Sequence, residues 1–178
     1  MRQANEVTMN WGTVQEKVST YYEGFPGPDK DCFDEAIRIS EALSKAGVKA
    51  EGVIGCAYST KDGYFYVAFS PKLQSEAKEI LEMNGILAIL TRTGWFCGKV
   101  SDEIIDLCGK NNPGCAEKKI ITTMREWKEG MAGIAIIAHP YNEYLPNLTS
   151  SHVVLGSADG TYIGPCQSCQ DVAKILKP

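Results

Sequence analysis

The 178-residue chain reads as an α/β protein, a three-layer α/β/α sandwich around a mixed sheet. Three observations predict that class. Stretches with apolar residues at helical spacing alternate with short runs rich in β-branched and aromatic residues. Two of those runs, residues 53–58 and 64–69, flank an Asp62-Gly63 step, the turn chemistry of a hairpin and hence of an antiparallel pair. A third run, residues 133–138, is apolar throughout and carries Ile134, Ile136 and Ile137, the pattern of a strand covered on both faces.

Residues 1–23 are polar, with a weak helical tendency around 14–22. Gly24-Phe25-Pro26-Gly27-Pro28-Asp29 then interrupts the chain, since two prolines and two glycines cannot continue a helix. This predicts a boundary between an N-terminal extension, residues 1–30, and one larger domain, residues 31–178. Over 33–46, Phe33, Ala36, Ile37, Ile39, Ala42, Leu43 and Ala46 line one helix face, and Gly47 is placed to end it as a left-handed cap. After the hairpin, Pro71 closes the second strand, and a helix over 75–83 is predicted to end at Asn84-Gly85. Residues 86–91 fit either a strand or a continued buried helix. Residues 101–107 read as a helix with Ser101 as cap and acids in the first turn.

Asn111-Asn112-Pro113-Gly114 forms a tight loop that delivers Cys115 to the start of a long helix, residues 115–129. Past the apolar strand, a loop with Pro140 and Pro146 leads to short strands at 153–155 and 161–163. Gly164-Pro165 then hands the chain to Cys166 and a last helix over 167–176. The hairpin strands are antiparallel, while strands around the long helix can be parallel through a crossover.

Length and composition suit one soluble domain with 44% apolar and 22% charged residues. No apolar run approaches membrane-spanning length and no signal pattern opens the chain, so no membrane association is expected. A net charge of −4 argues against gripping duplex phosphate by bulk electrostatics. The basic residues Lys118, Lys119, Arg125 and Lys128 are interleaved with Glu126 and Glu129, which reads as a solvated helix face. Seven cysteines cannot all pair within the chain, so a reducing cytoplasm and metal binding explain them better than a disulfide framework. Cys32, Cys56 and Cys97 fall in apolar or mixed segments and read as core.

The chemistry concentrates in Cys115-Ala116-Glu117 and Pro165-Cys166-Gln167-Ser168-Cys169. Cys166 and Cys169 have the spacing for two sulfurs from one helical turn to reach one ion, and Cys115 offers a third from another helix start. Helix N-termini favour thiolate, the ligating form. Three ligands leave a fourth zinc position for water. Glu117, still in the first turn but at another azimuth, can stand beside that water as acid and base without binding the metal.

These two motifs resemble those of the cytidine deaminase superfamily, in which C-A-E replaces H-A-E in free-nucleoside enzymes and in several bacterial toxin-type members. The resemblance implies a cytidine deaminase-like sandwich with Zn²⁺ between two helices, ligated by Cys115, Cys166 and Cys169, with Glu117 as proton shuttle. It makes residues 31–178 a deaminase-like catalytic domain acting on a nucleobase, cytosine rather than adenine, in nucleic acid or in a free nucleoside or nucleotide. An asparagine signature for ribose is missing near Ala68-Phe69-Ser70-Pro71, and little chain follows the last helix. Both departures lean towards a toxin-type member, delivered as part of a secreted toxin and partnered by an immunity protein.

Two rivals stand beside this reading. Cys108, Cys115, Cys166 and Cys169 would form a closed structural zinc site in a non-enzymatic interaction module, which leaves Glu117 without a role. The C-x-x-C alone would suit a redox dithiol, but it lies at the chain's end rather than early in a βαβ unit. His139 and Trp95 are the candidate substrate contacts, His139 because it ends the strand after the motif helix. His152, Tyr58, Tyr64, Phe65 and Tyr66 are further possibilities with ordinary structural explanations.

Overall fold

A computed structural model describes residues 24–26, 29–59, 61, 63–90, 94–109, 113–140 and 167–176. The elements are α1 (Lys30–Lys45), β1 (Gly52–Ser59), β2 (Phe65–Phe69), α2 (Pro71–Leu90), β3 (Gly94–Phe96), α3 (Asp102–Cys108), α4 (Ala116–Glu126), β4 (Met131–His139) and α5 (Gln167–Leu176). Cys166, His152 and the strands expected at 153–155 and 161–163 lie outside the described residues.

α1 forms where the apolar spacing places it. Asp29 caps it by accepting the Cys32 amide at 2.8 Å, and Cys32, Phe33, Ala36, Ile39 and Leu43 bury one face. At its far end Gly47 adopts φ +93, and the Val48 amide returns to the Leu43 carbonyl at 2.9 Å, closing the helix with a left-handed residue. Ser101 caps α3 by accepting the Ile104 amide at 3.3 Å.

The strands pair in the order β3-β2-β1-β4. β1 and β2 form the antiparallel hairpin, with Ile54 opposite Phe69 and Tyr58 opposite Phe65. β4 lies on the other side of β1 and is also antiparallel, with Gly52 opposite His139. The strand after the long helix therefore does not make the parallel crossover that the sequence allowed. The parallel pair is β2–β3, with Tyr66 beside Trp95, and β3 is a three-residue strand too short to leave a sequence pattern.

Asn84-Gly85 does not end α2. The break falls at Glu82, at φ 57 and ψ 173, and the helix resumes through Leu90 with Ile86 and Leu90 fully buried. Burial of those two side chains favours continuation over the local glycine penalty.

Side chains alternate along β1 and so divide the helices between two layers. Cys56 points to α1, where it hydrogen bonds Cys32. Gly55 points to α4, where a Cβ would lie 3.2 Å from Ile120 Cδ1 and 3.4 Å from Ala116 Cβ. Glycine there lets α4 sit close on the sheet. α1 and α2 pack together, and α5 packs against α4 and α3. The result is an α/β sandwich on a mixed sheet, with Ile39, Leu43, Ile54, Tyr66, Phe69, Ile120 and Ile136 in a continuous core. The segment read as a boundary is packed onto this domain: the Asp29 amide donates to the Ile134 carbonyl at 3.2 Å, and Gly24 abuts the backbone of Ala173 and Lys174. No described helix is long and apolar enough to cross a membrane.

Candidate active site

α4 starts abruptly because Pro113-Gly114 cannot extend it backwards. Gly114 is pressed against the first turn of α2, where a Cβ would come within 2.6 Å of Pro71 Cγ. This delivers Cys115 to the N-cap position, half-buried, with φ −57 and ψ 147. Its side chain makes no capping hydrogen bond to the helix. Glu117 follows in the first turn and is 1% exposed.

α5 lies beside α4 and runs parallel to it. Lys118 Nζ donates to Ser168 Oγ at 2.9 Å near the start of both helices, and Arg125 Nη1 donates to the Leu176 carbonyl at 2.8 Å near their ends. These facing residues are 50 and 51 positions apart in sequence. Cys115 and Cys166 are separated by the same 51 positions. Cys169, in the first turn of α5, is fully buried. The N-terminal turns carrying Cys115 and Glu117 on one side and Ser168 and Cys169 on the other are thus held side by side.

Lys118 and Lys119 are not on a solvated face. They are 0% and 5% exposed, and exposed positions begin only at Arg125 and Glu126, where the helix ends, with Lys128 beyond it. The cause is the packing of α4, whose Ala116, Ile120, Ile121 and Met124 all enter the core between sheet and α5. Lys119 Nζ donates to the Phe69 carbonyl at 2.7 Å and to Gln74 Oε1 at 2.8 Å. Burial pushes the Lys119 ammonium down from 10.5 to about 8. The nearby Cys115 and Glu117 oppose that drop, and Lys78 adds to it. The charge rhythm along the helix hid these lysines. The signal that marks them is their place in a first turn, where the helix dipole disfavours cations.

The two candidate substrate contacts are not brought to Cys115. His139 is fully buried on the α1 side of the sheet, with Nδ1 2.7 Å from Ser40 Oγ and Nε2 3.1 Å from the Val48 carbonyl. Both ring nitrogens are engaged there, on the face away from α4. Trp95 is 40% exposed and stacks edge-on against Trp127 at a centroid distance of 5.2 Å, with Tyr64 on its other side at 5.5 Å. Trp127 follows the C-terminal end of α4, about 18 Å along the helix from Cys115.

Comparison with protein-family models, curated proteins and solved structures finds no match.

Among the described residues no three histidine, cysteine or acidic side chains group as a ligand set. Three members of the four-cysteine alternative, Cys108, Cys115 and Cys169, are described and do not converge. Cys108 Sγ faces the carbonyls of Ile105 and Gly109, at 3.7 and 3.9 Å. The other cysteines are core residues as expected. Cys32 and Cys56 are fully buried, and the hydrogen bond to Cys56, together with burial, holds the Cys32 thiol far above its usual range. Burial also pushes the Cys97 thiol up to about 12, with a hydrogen bond from Thr123 working against it. Cys115 and Cys169 remain as thiols at adjacent helix starts, where negative charge is favoured. Such donors suit a soft divalent ion such as zinc, and Cys166 is the sequence's third sulfur for it.

Proposed function

We propose that this protein is a zinc-dependent hydrolytic deaminase of a nucleobase, cytosine by resemblance, on a cytidine deaminase-like α/β/α scaffold. The observation that carries the reading is the Lys118–Ser168 hydrogen bond at 2.9 Å, which joins the helix of the C-A-E motif to that of the C-x-x-C motif at their N-terminal turns. The first turn of the C-A-E helix and the described part of the C-x-x-C motif, Ser168 and Cys169, are neighbours in space, as a shared metal requires.

Cys115, Cys166 and Cys169 would hold the ion. When bound, zinc supplies the acidification of a water at neutral pH. The protein's own part falls to Glu117. Its buried carboxylate takes a proton from water and returns one to the exocyclic amine, which departs as ammonia while the base gains the water oxygen as a carbonyl. Water and an aminopyrimidine are consumed, and a pyrimidinone and ammonia are formed. Neither His139 nor Trp95 enters this scheme. A base held in a polymer must first be unstacked, so single strands are better substrates than duplexes.

Zinc content and ammonia release for the native chain and for Glu117→Ala, over nucleosides, single strands and duplexes containing cytosine or adenine, provide the test. The reading expects one zinc per chain in both proteins and ammonia from the native chain alone. Equal behaviour of the two on every substrate refutes it. A toxin-type role, with delivery into a target cytoplasm and an immunity partner, belongs to the same proposal. It expects a preference for polymer over free nucleoside.

A further inference from the structure

Lys119 is a costly residue to place where it stands. An ammonium at the start of a helix opposes the dipole, and its 5% exposure removes most of the water that would solvate it. A methionine of similar length would fill the same space without either cost. The ammonium must therefore be used, and its contacts say for what. One N–H goes to the Phe69 carbonyl at the end of β2, and another to Gln74 Oε1 in the first turn of α2. Gln74 in turn passes its Nε2 to the Gly98 carbonyl at 3.3 Å, just beyond β3. One side chain of the motif helix thus ties down three segments: the β2 end, the α2 start and the loop after β3. The same α2 turn carries Pro71, which is in contact with Gly114, the residue immediately before Cys115.

We propose that Lys119 is a positioning residue of the deaminase site, a strut that fixes the first turn of α2 against the Gly114–Cys115 corner from which the motif helix starts. The proposal rests on the functional reading above. It goes beyond the motif residues, because neither Lys119 nor Gln74 belongs to the C-A-E or C-x-x-C signature. Charge alone does not account for the geometry. A cation needed only to balance Cys115 and Glu117 has no reason to spend two donors on a backbone carbonyl and a neutral amide. Those two acceptors are what a strut requires. Lysine has a third N–H, which leaves the ammonium one donor beyond the pair that anchors it.

The test uses the full chain with Lys119→Met, Lys119→Arg and Gln74→Leu. Three quantities are measured for each: zinc per chain, amide hydrogen exchange across residues 71–74 and 115–117, and kcat and KM on whichever substrate the native protein turns over. Lys119→Met is expected to keep its zinc and to exchange about tenfold faster in both segments. Its kcat is expected to fall by about 10- to 100-fold with KM within about threefold, the size of effect seen when groups that orient a metal site's ligands are removed. Lys119→Arg is expected to recover most of kcat, and Gln74→Leu to reproduce the loss in milder form. Native exchange and native kcat in Lys119→Met overturn the proposal, as does failure of both Arg rescue and the Gln74→Leu phenocopy. The two readings fail separately. If the native protein releases no ammonia from any substrate, the deaminase reading falls while the exchange data still decide the strut. If Lys119→Met unfolds, Gln74→Leu decides it alone.

Discussion

Replacing Lys119 by methionine removes a buried ammonium and should leave a fingerprint in the pH dependence of stability. The ammonium titrates at about 8 in the folded protein against 10.5 in an unfolded chain. Below pH 8 both states carry the proton and the full cost of burying the charge is present. Between pH 8 and 10.5 the unfolded chain binds more protons than the folded one, so stability rises with pH through that window. A drop from 10.5 to about 8 corresponds to about 3 kcal/mol, and screening by solvent at the site trims the observable to about 1–3 kcal/mol. For a chain of this size that is about 2–10 °C in Tm. The assay is thermal unfolding of the native protein and Lys119→Met at pH 7 and pH 10, both metal-free and reduced. Tyrosine and cysteine ionisation then affect both proteins alike. The native protein should gain on the variant as pH rises. A constant gap, or one that moves the other way, refutes the account of Lys119 as a charge held in the core against its solvation.

His139→Ala strips two hydrogen bonds from buried partners, Ser40 and the Val48 carbonyl. It should cost about 2–3 kcal/mol in urea unfolding while leaving turnover per zinc-loaded molecule unchanged. A selective loss of turnover would return His139 to the site. Cys108→Ala should retain one zinc per chain by elemental analysis, and loss of the metal would favour the four-cysteine site. Native-state alkylation at pH 8, read by mass spectrometry, should spare Cys97, whose titration near 12 leaves a thiolate fraction of about one in ten thousand. Labelling of Cys97 as fast as the half-buried Cys115 would contradict its burial.

The sequence announced α1, the hairpin and β4 because each repeats one signal many times: seven apolar positions on one helix face, a Gly63 at φ +73 between two β-rich runs, and an apolar stretch without a break. β3 had only three residues and Gly94 among them, so no period could form. Asn84-Gly85 misled because a turn signal is local. Whether the chain turns there is decided by the core that Ile86 and Leu90 enter. The same difference of scale governs the site. Cys115 and Glu117 were legible as a motif, and the structure sets their helix beside that of Cys169. Lys118 and Lys119 were misread because alternating charge looks like a wet surface wherever the partner helix cannot be seen.

The alignment of α4 and α5 rests on contacts of unequal strictness. Arg125 and the Leu176 carbonyl meet at the solvent-exposed end, where a hydrogen bond is readily exchanged for water and holds register weakly. Lys118 and Ser168 meet where the lysine is fully buried. Such a contact adds little net stability, since desolvating the ammonium consumes most of what the bond returns. It is strict about register for the same reason. Sliding α5 by one turn would carry Ser168 about 5.4 Å away and break a hydrogen bond to a fully buried ammonium. A hydrophobic seam between these helices tolerates small slips, and a metal whose sulfurs come from two helix starts does not. Placing the least forgiving contact one residue past Glu117 and one before Cys169 therefore puts the register control at the level where the thiols must meet.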